Sequence, residues 1–140
     1  MTPSRFAVGM YVFGAVLGLF GVALAALTSH GLNSLAPAGD QAVEWFKIAT
    51  SFQMDHTLGL ILVTAISDQL VAGRPRMIMR AGAVLMAAGA FLFPTALYSL
   101  SFAGPVFWAP YGGIAAMAGW GAFAVGAVLT LKAKAGEPVG

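Results

Sequence analysis

Long uncharged apolar runs, separated by short polar clusters, set the pattern of this chain. No residue from Phe6 to Leu27 is charged, and none from Ala81 to Leu131. A helix crossing a hydrocarbon core about 30 Å thick needs roughly 20 apolar residues. The first run is one such span. The second is long enough for two. It is interrupted by Ala103-Gly104-Pro105 and Ala109-Pro110, with Gly112-Gly113 just beyond, and such clusters mark a turn. Helices are therefore predicted over about 6–27, 81–102 and 111–131.

The stretch between Lys47 and Asp68 is mixed. It carries Ser51, Gln53, Asp55, His56 and Thr57, then turns strongly apolar from Leu58 to Val63. It predicts a further helix, amphipathic from near Gln41 and crossing over about 46–67. The charges demand this fourth crossing. With it, Arg5, Arg74, Arg76, Arg80, Lys132 and Lys134 share one side and only Lys47 lies on the other. Lys and Arg collect on the cytoplasmic side of short loops. The expected fold is thus an all-α membrane protein, a single domain of four antiparallel transmembrane helices in the bacterial inner membrane, with both termini cytoplasmic. Trp45, Phe46, Phe102, Phe107, Trp108 and Tyr111 gather at the opposite rim, as aromatic rings do near headgroups. Ala23-Leu24-Ala25 resembles a leader-peptidase site, but the apolar run before it exceeds a signal core of about 7–15 residues. The first helix is expected to remain.

Composition agrees. Charged residues make up 9% of the chain, against about 25% in soluble domains. A net charge of +2 gives nucleic acid no foothold, and the absence of cysteine excludes disulfides and thiolate sites.

Helices in lipid associate through close contact of small residues. In the first helix Gly14, Gly18, Gly21 and Ala25 are expected to form one ridge that includes a GxxxG pair. Gly119, Ala122 and Gly126 offer a ridge in the last helix, and Ala83, Ala87 and Ala90 one in the third. Such ridges serve contacts within the chain or self-association. Pro94 cannot donate to the carbonyl of Ala90, so a local distortion of the third helix is expected there.

Polar side chains at membrane depth are costly and usually face a bundle interior. The topology assigns His30, Gln53, Asp55, His56, Thr95, Tyr98 and Trp120 to the outer half, and together they form the candidate site. Three readings compete. The first is interhelical hydrogen bonding that fixes register. The second is a proton or solute path along Asp55 and His56. The third is haem or metal ligation by His30 and His56, although two imidazoles are few for a metal site. Asp55 needs a partner across helices, water or a proton, with His30 as a candidate. No Walker loop, H-E-x-x-H, G-x-S-x-G or dinucleotide fingerprint is present. Hence no catalytic residue or cofactor is expected. The expected role is an accessory or structural membrane component whose partners are lipids and other membrane subunits or a second copy.

Several short motifs carry a resemblance. Thr28, Ser29, His30 and Gly31 follow the first helix; Phe52, Gln53, Met54, Asp55 and His56 form an aromatic-Gln-x-x-His motif in the second. Phe93 and Leu97-Tyr98 lie in the third helix, Pro110 and Gly112-Gly113 start the fourth, and Gly119-Trp120 follows. In combination these resemble the YgdD family of bacterial inner-membrane proteins, a domain-of-unknown-function group with small animal transmembrane relatives. The resemblance spans nearly the whole chain. It implies a four-helix membrane protein without an assigned activity. Asp55 departs from the family's usual apolar or aromatic residue, and Pro94-Thr95 from its usual Ser-Gly type of stretch.

Overall fold

The computed structural model describes residues 2–30, 32, 37 and 39–135, with the side chains of Lys134 and Ala135 excepted. Gly31 of the family-like motif and the Lys134 side chain therefore lie outside the described residues. Among the described residues, four long helices make up the fold: α1 (Arg5–Ser29), α2 (Asp40–Gln69), α3 (Gly73–Ser101) and α4 (Ala109–Ala135). α2 starts well before residue 46 and α3 well before residue 81, because polar first turns extend each helix beyond its apolar segment.

Local chemistry fixes the ends. Ser4 caps α1 by accepting the Ala7 N–H at 3.2 Å on its hydroxyl, which satisfies one of the free amides of a first turn. Asp40 opens α2, where a carboxylate suits the positive end of the helix dipole. Arg74 and Arg76 open α3, against that dipole. The penalty is about 0.3–1 kcal/mol per exposed cation, small beside the preference of cations for one face of a membrane. Arg76 also donates through Nε to the Val71 carbonyl, tying the turn to α3.

Contacts along the chain are antiparallel. Ser4 meets Asp68, Leu17 meets Gln53, Gln53 meets Tyr98 and Gly82 meets Gly119. The helices thus run up, down, up, down. α2 and α3 are central; α1 lies on α2 and touches α3, while α4 lies along α3. Of the four, α1, α3 and α4 are long and apolar enough to cross a membrane. α2 is the exception because its buried face is polar. Thr50, Gln53, Thr57, Thr64 and Ser67 are all buried there beside Leu60 and Val63.

One period runs through every interface. Ala7, Gly14 and Gly21 of α1 are buried at seven-residue steps. Gly82, Gly89 and Ala96 repeat the step in α3, and Gly112, Gly119 and Gly126 in α4. A seven-residue period keeps one seam in contact when helices coil left-handedly. At these positions the backbones nearly touch. A Cβ on Gly89 would stand 2.7 Å from that of Ala116 and 2.9 Å from the Gly112 carbonyl oxygen, and one on Gly82 2.9 Å from the Gly119 carbonyl oxygen. Gly112 abuts the backbone nitrogen of Phe93. Gly14 and Gly21 lie against Ile61 and Met54 of α2.

Gly18 departs from the expected ridge: nothing of the chain lies within 4 Å of where its Cβ would be. The seam on α1 follows the seven-residue step, so Leu17, not Gly18, fills the turn between Gly14 and Gly21.

Candidate functional site

At the rim holding the N-terminus of α1, three side chains close on one another. Asp68 is the last acidic residue of α2, and its side chain is 5% exposed. It accepts the Ser4 N–H at 2.9 Å and the Ser4 hydroxyl at 2.6 Å. Arg80 Nη2 donates to it at 2.6 Å and to Ser4 Oγ at 3.1 Å. The Arg80 guanidinium lies 5.0 Å from the centre of the Phe6 ring. The two hydrogen bonds from Ser4, then Arg80, hold the Asp68 carboxyl down at about 2, well below its usual 3.8. Arg80, one of the cations at this rim, thereby ties the starts of α1 and α3 to the end of α2.

Between the two rims Gln53 is 4% exposed. Its Nε2 donates to the Leu17 carbonyl at 2.6 Å, and its Oε1 accepts the Tyr98 hydroxyl at 3.0 Å. Leu17 stands midway along α1, so this crosslink of three helices lies at mid-depth. Above it, Phe46 contacts Tyr98 at 4.7 Å and Phe102 at 6.3 Å between ring centres. A cavity of about 250 Å³ borders the crosslink, with Leu17, Phe20 and Leu24 on one wall, Ala90, Phe91, Thr95 and Tyr98 on the other, and Gln53 at its floor. Ala90 is the residue whose carbonyl loses its donor at Pro94, and α3 continues through that proline. Thr95 turns its hydroxyl back to the Phe91 carbonyl at 2.6 Å.

His56 lies one turn beyond Gln53 and meets α4 rather than α1. Its ring stacks on Phe52 at 3.9 Å and meets the edge of Trp120 at 6.3 Å. Phe52 in turn touches Phe93 at 4.3 Å. Nδ1 is 2.9 Å from the Phe52 carbonyl. A carbonyl only accepts, so Nδ1 is the donor in this contact. His30 is exposed at the far end of α1, where its N–H caps the helix on Leu27. Counted along the helices at 1.5 Å per residue, the two imidazoles are about 24 Å apart. That spacing overturns their pairing as haem or metal ligands. Among the described residues no group of three His, Cys, Asp or Glu could hold a metal.

Asp55 points outward and is exposed, in line with exposed Lys47 and Ser51. Thus Gln53 and Tyr98 meet, His56 and Trp120 meet, and Asp55 and His30 join neither pair. Sequence reasoning missed the clamp of Ser4, Asp68 and Arg80, the inward threonines of α2, and Gly82, Gly89 and Gly112. The seven-residue recurrence of small residues was the signal that could have found the glycines.

Residues 24–119 match the family described as a protein of unknown function, DUF423. The chain belongs to that family. Like this DUF423 chain, its similar relatives are short. One is the UPF0382 inner membrane protein YgdD of Escherichia coli, 31% identical over 134 residues, covering 94% of this chain and 95% of that one. Another is a UPF0382 membrane protein of Haemophilus influenzae, 32% identical over 115 residues, covering 80% and 87%. No solved structure matches the chain. The DUF423 description assigns no activity.

Proposed function

We propose that this protein is a non-catalytic, four-span component of the bacterial inner membrane, with both termini cytoplasmic, that docks sideways onto another membrane subunit through the outer face of α2. The location follows that of the Escherichia coli relative, an inner membrane protein by name. The orientation follows the cations, since Arg5, Arg74, Arg76, Arg80 and Lys132 all sit at the rim that holds Ser4 and Asp68. α2 crosses because α1 and α3 run parallel, and only a helix of their length returns the chain between them.

Asp55 carries the docking proposal. It is exposed on the flank of the bundle at nearly the depth of the Gln53–Leu17 bond. A carboxylate facing lipid there costs about 3 kcal/mol, and a cation or hydroxyl on a neighbouring helix removes that cost. Gln53, by contrast, bonds across to α1, as register-fixing groups do, and Thr50 and Ser67 bond back to carbonyls of α2 itself.

The test is gentle purification from native membranes, followed by mass spectrometry and photocrosslinking from Ser51. The proposal expects a stoichiometric partner crosslinked at Ser51 and lost in Asp55→Leu, with the fold unchanged by circular dichroism. A monodisperse lone chain, or a partner indifferent to Asp55→Leu, contradicts it.

A further inference from the structure

The cavity beside Gln53 has a neighbour between the same two helices. Phe91 lines it and also lines a second hollow of about 430 Å³. That lower hollow is bounded only by apolar side chains, Met10 and Phe13 on α1 and Val84, Ala87, Ala88 and Leu92 on α3. Both hollows lie in the cleft between α1 and α3 and meet at Phe91. The upper one is largely apolar, with Gln53, Thr95 and Tyr98 as its polar lining residues; the lower one is hydrocarbon. From Thr95 to Val84 the cleft spans about 17 Å along α3.

We propose that this cleft binds one neutral, ring-headed lipid of the quinone class, with its head beside Gln53 and Tyr98 and its tail down the α1–α3 groove. Size is the first argument. An apolar cavity of about 150 Å³ holds one benzene, so about 250 Å³ takes a substituted ring but not a phospholipid headgroup. Charge is the second. No Lys, Arg, Asp, Glu or His lines either hollow, and an ionic head placed there would be buried unpaired, at a cost of several kcal/mol. Hydrogen bonding is the third. The Gln53 amide has two N–H groups and gives one to Leu17. The second has no acceptor among the described residues, and Gln53 lines the cavity; the Tyr98 and Thr95 oxygens can each accept from a hydroxyl. Phe20 and Phe91, 58% and 50% exposed, flank the cleft from opposite helices, in reach of a flat ring's faces. Depth is the fourth. A phosphate belongs at the interface, whereas Gln53 faces the middle of α1.

Binding to the isolated protein tests this without any partner subunit. The wild-type chain in nanodiscs is titrated with a benzoquinone carrying a ten-carbon tail, and with decylbenzene as the carbonyl-free control. Bound molecules per chain are counted by native mass spectrometry. One saturable quinone per chain is expected, with no saturable decylbenzene. Gln53→Leu removes the donor; Leu24→Trp fills the upper cavity and leaves the Gln53 bonds in place. Each is expected to weaken quinone binding by at least about tenfold. Equal uptake of both probes, no quinone above empty nanodiscs, or wild-type binding in Leu24→Trp overturns the proposal. So does a fatty acid or phospholipid occupying the cleft in protein taken from native membranes.

Discussion

Single residues set the ends of the helices and the pH response. Ala103 follows the C-terminus of α3 with a φ of 59°, and the Gly104 N–H folds back to the Ser99 carbonyl at 2.9 Å. This left-handed position favours glycine, because a Cβ crowds the carbonyl there. Ala103→Gly is therefore expected to stabilise the protein by about 0.5–1 kcal/mol, read as a raised thermal midpoint in detergent. Asp68 sets the acid limit. Its carboxyl is held near 2 in the fold and near its ordinary 3.9 in the unfolded chain. The unfolded state thus takes up the proton first as pH falls. The stabilisation from Asp68 is complete above about pH 4 and disappears towards pH 2. Asp68→Asn should be less stable at neutral pH and should flatten the pH profile between those limits. An unchanged profile in that variant would refute the clamp at the rim. Neither feature was legible in the sequence. Ser4, Asp68 and Arg80 lie 64 and 12 residues apart, and no local pattern joins them.

At the scale of the helix, apolar length and charge placement were legible; contact faces were legible only in part. Uncharged runs revealed α1, α3 and α4 because lipid-facing surface tolerates nothing else. α2 was visible only through charge counting, since its inward side holds Thr50, Gln53, Thr57, Thr64 and Ser67. Among the described residues the Thr57 and Thr64 hydroxyls have no hydrogen-bond partner. Steps of three and four selected Gly14, Gly21, Gly119 and Gly126, which are contact glycines, but also Gly18, which is not. Depth inferred from topology brought His30 towards His56, whereas the helices separate them by many turns. Glycine position yields a sharp contrast in α3 and α4. Gly89→Leu places four carbons where a Cβ alone would meet the Gly112 carbonyl at 2.9 Å. It should cost about 3 kcal/mol or more, an overpacking that only backbone separation relieves. Gly121→Leu, with nothing within 4 Å, should change stability by less than about 0.5 kcal/mol. Equal losses in reversible detergent unfolding would contradict the α3–α4 seam.

For the whole molecule, α2 and α3 form the centre, with α1 laid on α2 and α4 on α3, and the inward side of α2 is partly polar. An apolar cluster of Leu60, Val63, Met79 and Met86 fills the end near Asp68. A second, of Leu32, Ala42 and Phe46, fills the end near Tyr98. The Gln53 crosslink lies between them. Cations crowd one rim and the Phe107–Trp108 pair marks the other. If the protein functions as proposed, every helix crosses the membrane, α2 with the rest. The chain contains no cysteine, so single cysteines report position without background. With a membrane-impermeant maleimide, Phe107→Cys should react in intact spheroplasts, while Arg76→Cys and Lys132→Cys should react only after lysis. Labelling of Arg76→Cys and Lys132→Cys from opposite sides, or of both from outside, would contradict it.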